Sequence, residues 1–471
     1  MAGRKSTFAL FLGNRGFFPG SLIAGAREEM QRKLTEWGYG TIALPAEATR
    51  HGAVETMQEG KLYADFLRQN RGKYDGVILC LPNFGDENGA AEALKDAGVP
   101  ILIQAYPDEM DKMAPATRRD AFCGKVSIMD VFVQNGIKFT ALKPHTVSPS
   151  SNRFKENVDH FDRVCRVVGG FKDLRVGAIG ARTTAFKTVR IDEIALQRHG
   201  ITMETLDLST VMARLQALDA GAAAYKSKAA ALRGYTSWEG APEQAFDRLV
   251  RLGVVIDQII EEMDLDAIAL RCWEEMQRLL NVSPCVLLSE LNNRNIPAAC
   301  EVDMGNAVTM FALNHASDGP VACLDWNNNY GDDDDKCILF HCGPVPAAMM
   351  EGQGRVADHA ILANAVGAGC GFGCNVGRIA ASDITFGSML TDMGELHFYL
   401  GEGRFTGEPI PPDYFGCAGV AEIPDLQDVM LHVGYRGHRH HVSVATGSVL
   451  APVYEALSHY LGFEVTVPQE Y

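Results

Sequence analysis

"IPAACEVDMGNAVTMFALNHASDGPVACLDWN", residues 296 to 327, decides how the middle of the chain folds. Two short apolar runs, "IPAACE" and "PVACLD", flank "MGNAVTMFALNHA", whose spacing is helical. The crossover is long enough to join two parallel strands, so the stretch reads as a β-α-β unit. Each run stays apolar until its last residue, which is a carboxylate: Glu301 on the first, Asp325 on the second. In a parallel pair both strand ends face one edge of the sheet. The two acids are therefore expected as neighbours at the carboxyl edge, where open α/β sheets bind ligands. Asp303, two residues past Glu301, stands where a helix N-cap belongs.

The same alternation extends towards the N-terminus. "FALFLG", "TIALP", "GVILCLP" and "VPILIQAYP" read as strands separated by amphipathic helices, and "LRVGAIGA" restarts the pattern after a Gly-Gly pair at 169 and 170. Continuous apolar strands between helices indicate parallel sheets covered on both faces. Beyond about residue 335 glycine and proline rise, and the strands read as short with few helices between them. The fold class expected is α/β: two tandem doubly wound parallel-sheet (Rossmann-like) domains, 1–172 and 173–318, followed by a β-rich C-terminal domain, 319–471. "GDDDDK" at 331 to 336 reads as a solvated turn between two apolar strands.

Bulk composition narrows the function. With 471 residues the chain exceeds one hydrophobic core, and a net charge of -16 argues against nucleic-acid or membrane-surface partners. The longest early apolar run, Phe8 to Leu12, is too short for a signal segment or a membrane span, which places the protein in the cytoplasm. The twelve cysteines show no C-x-x-C pair and fit buried free thiols better than a disulfide framework. "VGAIGARTTA" lacks the glycine pattern of a dinucleotide fingerprint.

Two convergent carboxylates repel unless a cation lies between them or one keeps its proton. A divalent metal meets that need, with histidine as a natural third ligand. "GYRGHRHHVSVA", residues 434 to 445, gathers three histidines and two arginines within Arg436 to His441, directly before an apolar strand. His440 or His441 would complete an oxygen-rich site suited to Mn2+, Mg2+ or Co2+. Trp273 and Glu274, closing "DAIALRCW", are expected at the same edge. Arg436 and Arg439 either pair with local acids or bind an anionic group on the substrate.

In "AACEVDMGNAVTMFAL", "ACLDWN" and "HHVSVATG", and more loosely in "GNRGFFPG", the chain resembles the L-fucose and L-arabinose isomerases, metal-dependent aldose–ketose isomerases. The resemblance covers most of the chain and rests on a Glu-x-Asp at 301 to 303 with Asp325 twenty-four residues after Glu301. It implies Glu301, Asp325 and His441 as metal ligands, with the two acids also catalytic. His440, Trp273, Glu274, Arg436, Arg439 and Arg15 are the expected substrate-binding residues. "WNNNYG" follows Asp325 where arabinose isomerases carry a further ligand histidine, so the three-ligand fucose isomerase arrangement is the closer match. Also implied are a homo-oligomer, trimer or hexamer, with Arg15 serving a neighbouring subunit's site. The expected substrate is an open-chain deoxyhexose, a pentose or a C6-modified hexose, such as L-fucose, D-arabinose or sulfoquinovose. A non-catalytic sugar-binding protein built from tandem α/β domains is the alternative.

Overall fold

A computed structural model describes residues 4–183 and 185–470. The described residues divide into two compact units, one of 4–169 with 455–462, the other of 170–454 with 463–470. In the first, β1 (Thr7–Leu12), β2 (Gly40–Ala43), β3 (Gly76–Leu81) and β4 (Ile101–Ala105) form an all-parallel sheet in the order β2-β1-β3-β4. β3, "GVILCL", is buried at every position, as a strand covered on both faces must be. The helix Met57–Gln69 begins at a reciprocal cap: Thr56 accepts from the Glu59 amide, and the Glu59 carboxylate returns to the Glu55 amide at 2.7 Å.

The second unit holds two sheets. β5 (Arg175–Ile179), β6 (Thr202–Leu206), β7 (Ala267–Leu270) and β8 (Ala298–Cys300) are parallel in the order β6-β5-β7-β8. The other sheet has nine mixed strands. They are β9 (Val321–Asn329), β10 (Lys336–His341), β11 (Arg355–Ala357), β12 (Cys374–Arg378), β13 (Ser382–Asp392), β14 (Glu395–Phe405), β15 (Cys417–Glu422), β16 (His441–Thr446) and β17 (Glu464–Thr466). The chain is thus mixed α/β with two parallel sheets and one large mixed sheet.

Two expectations are corrected here. β9 does not pair with β8; it runs antiparallel to β10 and β16 inside the large sheet. The exposed "GDDDD" turn folds β10 back on β9 as a hairpin, and those ladder bonds replace the parallel pairing. Nor are the later strands all short: β13 and β14 run eleven residues each and pair along their whole length. Glycine is not a break there. A Cβ at Gly401 would run into the Phe386 ring, so the residue allows close packing inside the sheet.

The helix Met304–Ser317 is buried at nearly every position and lies between the parallel sheet and the large one, touching β7, β8, β9, β13 and β16. Among the described residues no helix is long and apolar enough to cross a membrane. All twelve cysteines are free, and all but Cys123 and Cys370 are buried.

That helix enters too closely for a side chain at its second residue. A Cβ on Gly305 would collide with the Met389 carbonyl oxygen and the Arg439 guanidinium. Gly305→Ala is expected to lower unfolding stability by about 1–3 kcal/mol in chemical denaturation, with an unchanged m-value.

Candidate functional site

The site grows from the turn that ends β8. Glu301 and Val302 adopt φ of 62° and 58°, the left-handed region, in place of the strand end that the sequence suggests. Neither residue is a glycine, asparagine or aspartate, and Val302 is β-branched, so the turn is strained at about 1–3 kcal/mol per residue. It redirects the chain so that Asp303 caps the helix Met304–Ser317, accepting from the Asn306 amide at 3.1 Å. Asp325 reaches the same place on β9, flanked in register by Phe340 on β10 and by His441 on β16. Directly opposed residues share a sheet face.

Asp325, Glu301 and His441 therefore meet although their strands belong to different sheets. His441 Nε2 lies 2.7 Å from Glu301 Oε2 and 3.4 Å from Asp325 Oδ1. The other ring nitrogen, Nδ1, is 2.8 Å from Asp303 Oδ2. Asp303 also receives the Asn306 side-chain amide at 2.7 Å and pairs with Arg439. His441 and Asp303 are fully buried and Arg439 nearly so. With Nδ1 bonded to Asp303, Nε2 faces Glu301 and Asp325, the arrangement in which a carboxylate orients a ligand histidine.

Burial and neighbouring charge act on these groups in opposition. Burial pushes Glu301 up, but contact with His441 outweighs it and the carboxyl sits below its usual range. Asp303 is likewise penalised by burial, yet the Arg439 charge and His441 hold it well below that range. Asp325 has less compensation and burial raises it. Burial disfavours charge on His441, but Asp303 and Glu301 raise it well above the usual histidine value.

Trp273 donates its indole N–H to Glu301 Oε1 at 2.8 Å. Phe186 packs against Trp273, His440 and His441, with centroid separations of 5.6, 5.3 and 5.6 Å. His440 is exposed, with Nε2 3.7 Å from Asp325. His341, at the end of β10, enters the same cluster: donor atoms of Glu301, His341 and His441 all lie within 4.8 Å of one another, as do those of Asp325, His440 and His441. A cavity of about 330 Å3 opens onto the group, lined by Trp273, Glu301, Asp325, Phe340, His341 and His359 among others.

Among the described residues, four buried polar atoms here make no hydrogen bond of good geometry, Glu301 Oε2 and His441 Nε2 facing only each other and Asp325 Oδ1 and His341 Nε2 beside them. Such atoms are costly to bury unsatisfied. Two carboxylate oxygens and imidazole nitrogens converging on one cavity fit a divalent cation of hard or borderline character.

The remaining expected residues lie elsewhere or face local acids. Arg436 is exposed and pairs with Glu464, and Glu274 pairs with Arg278. With Arg439 held by Asp303, both arginines of the histidine cluster are engaged by acids. Arg15 belongs to the N-terminal unit, where it donates to the Gly85 carbonyl at 2.9 Å, pairs with Glu87 and covers the Phe84 ring.

Residues 9–172 match the model of the fucose/sulfoquinovose isomerase N-terminal domain, and 339–468 that of the L-fucose isomerase C-terminal domain, together well over half of the chain. The chain belongs to the fucose isomerase family of aldose–ketose isomerases. Glu301 and Asp325 lie outside the two matched stretches, and His341 and His441 lie inside the second. A sulfoquinovose isomerase of Alkalicoccus urumqiensis is 22% identical over 279 residues, 59% of this chain and 61% of that protein. In that alignment the chain spans about three-fifths of the relative's length. The sulfoquinovose isomerases of Priestia aryabhattai and Priestia megaterium are each 20% identical over 87% of this chain and 89% of their own length. The family is metal-dependent, and the clustered donors are where this fold could meet that requirement.

Sequence reading missed His341, Phe186 and the full part played by Asp303. A histidine was sought immediately after Asp325; the hairpin instead returns one sixteen residues later, at the end of "ILFH". That apolar run ending in a polar residue was the available signal.

Asp303→Asn removes the charge that balances Arg439 and replaces one of its two acceptor oxygens with an NH2 donor, so one amide can no longer serve both Arg439 and His441. It is expected to weaken Mn2+ affinity by roughly 10–100-fold in calorimetric titration. Arg436→Ala, on the exposed surface, is expected to leave that affinity unchanged.

Proposed function

We propose that the chain interconverts an open-chain aldose and its 2-ketose at Glu301, Asp325 and His441, which hold a divalent cation, Mn2+ in the first instance with Mg2+ or Co2+ as substitutes. The observation that carries this reading is the convergence of buried donor atoms from Glu301, Asp325 and His441 beside a cavity that the two carboxylates line, in a chain of this family. When bound, the cation supplies Lewis-acid polarisation of the sugar carbonyl and stabilises negative charge as it develops.

The protein's own groups do the proton work. One of the two carboxylates removes the proton from C2, and the other moves protons between O1 and O2 through a cis-enediol. The Trp273 N–H holds Glu301 Oε1, leaving Oε2 turned to the reacting atoms. Asp303 keeps His441 in one tautomer and one orientation, which costs no reorganisation at the moment of reaction. Phe186 and Trp273 form an aromatic wall that excludes water from one side of the site.

Two observations bear on the sugar. The names of the relatives support sulfoquinovose, whose C6 carries a sulfonate. Among the described residues no lysine or arginine lines the cavity, and Arg436 and Arg439 are both engaged by acids, which favours a neutral deoxyhexose or pentose such as L-fucose or D-arabinose. An anionic sugar would then draw its cation from another copy, and Arg15 in a trimeric or hexameric assembly is our proposal for that donor.

Ketose formation is expected from at least one of sulfoquinovose, L-fucose, D-arabinose and L-arabinose when Mn2+ is restored to metal-stripped protein. Glu301→Gln should lower that rate by roughly 10²–10⁴-fold. Tight metal binding with no turnover of any of the four sugars would count against catalysis on these substrates.

A further inference from the structure

Behind the carboxylates lies a second group of donors with the opposite chemistry. Cys300, His341 and Cys342 bring one donor atom each within 4.8 Å of the others, and all three side chains are buried. Cys285 Sγ adds a further sulfur 3.4 Å from Cys342 Sγ, and His341 Nδ1 lies 3.2 Å from that same sulfur. His341 Nε2 is buried and without a hydrogen-bond partner. Cys285, His341 and Cys342 line the cavity, so the group is open to an ion entering from it.

We propose that Cys300, His341 and Cys342 form a second cation site, selective for a thiophilic closed-shell ion such as Zn2+ or Cd2+ and distinct from the oxygen-rich site at Glu301, Asp325 and His441. Donor softness carries the distinction: thiolates select soft and borderline ions, whereas carboxylates select Mg2+ and Mn2+. Spacing agrees with it. At a zinc–sulfur distance of roughly 2.3 Å, two thiolates on one tetrahedral ion stand roughly 3.8 Å apart. The donor atoms of Cys300, His341 and Cys342 all lie within 4.8 Å of one another, which leaves room for that separation.

Ordinary apolar packing explains a buried thiol, and Cys417 and Cys165, deep in their cores, need nothing more. It does not explain two thiols and an imidazole gathered at a cavity wall with a ring nitrogen unsatisfied. Binding is an exchange without electron transfer: two sulfur–metal bonds form, and the S–H protons that remain are released to solvent. An ion held there would also fix His341, the side chain that borders both groups.

The test uses the Mn2+-loaded full chain titrated with Cd2+, followed by thiolate-to-cadmium absorption and by cadmium-113 NMR, whose shift separates sulfur from oxygen ligation. The expected result is a sulfur-type resonance and an absorption band that saturates near about one equivalent, with bound Mn2+ retained in the electron paramagnetic resonance spectrum. Cys300→Ser and Cys342→Ser should each weaken Cd2+ binding by roughly tenfold or more, and Cys123→Ser, at an exposed thiol, should not. Three outcomes would overturn the proposal. They are an oxygen-type resonance alone in the unmodified protein, a band of undiminished affinity in both serine variants, or loss of the band in Cys123→Ser. The unmodified protein's spectrum decides the matter even if a variant fails to fold, and no sugar turnover enters the readout.

Discussion

A fully buried carboxylate, Asp303, is the constraint around which the second unit is arranged. An ion of that size without compensation in a low-dielectric interior is strongly unfavourable. It is compensated from three quarters, by the backbone and side-chain amides of Asn306 in the helix it caps, by the Arg439 guanidinium and by His441 Nδ1. Each partner comes from a different place: the helix that follows β8, the segment before β16, and β16 itself. Satisfying Asp303 therefore fixes the parallel sheet's last turn against the large mixed sheet. His441 is oriented as a by-product, and with it the position of Nε2 against Glu301 and Asp325. The absence of a side chain at Gly305 belongs to the same arrangement, since any Cβ there would displace Arg439.

How legible this was in the sequence depends on which link is asked about. The apolar strands with intervening helices were readable because burial on both faces leaves continuous runs such as "GVILCL". Sheet membership was not. Apolar spacing shows that "PVACLD" is a strand and says nothing about its partner, and a parallel crossover from β8 satisfied every local rule. The stretch "NNNYGDDDDK" carried the contrary signal, since a cluster of Asn, Gly and Asp between two apolar runs favours an antiparallel hairpin over continuation of the sheet. The two acids meet in either topology, so the wrong strand pairing did not change which residues come together.

The left-handed turn at Glu301 and Val302 was invisible for a different reason. Local propensity places glycine, asparagine or aspartate at such positions, and "CEVDMG" offers none of them at 301 or 302. Tertiary contacts impose the conformation: the Val302 amide bonds the Leu270 carbonyl at 3.3 Å, and the Asp303 amide the Cys300 carbonyl at 3.0 Å. Strain of this kind persists where the surroundings over-determine it, and here it swings Glu301 out of the ladder towards His441. His341 was hidden by distance along the chain and not by chemistry. A ligand-like histidine brought back by a hairpin has no fixed offset from the acid it joins.

The cavity is lined by carboxylates of Glu301 and Asp325 and by thiols of Cys272, Cys285 and Cys342, and His341 has donors of both kinds within reach. Affinity for divalent ions at nitrogen and oxygen donors rises from manganese towards zinc and copper, so a carboxylate site alone discriminates poorly against the tighter-binding ions. A neighbouring thiol group of higher affinity for those ions would draw them aside and leave the oxygen-rich site to the weaker-binding ion. His341 borders both groups, its donor atoms lying near Glu301 and His441 as well as near Cys300 and Cys342, so an ion among the thiols would fix a ring that also faces the carboxylates. Occupancy of one group then biases the other through the orientation of a single imidazole, with no movement of the sheets required.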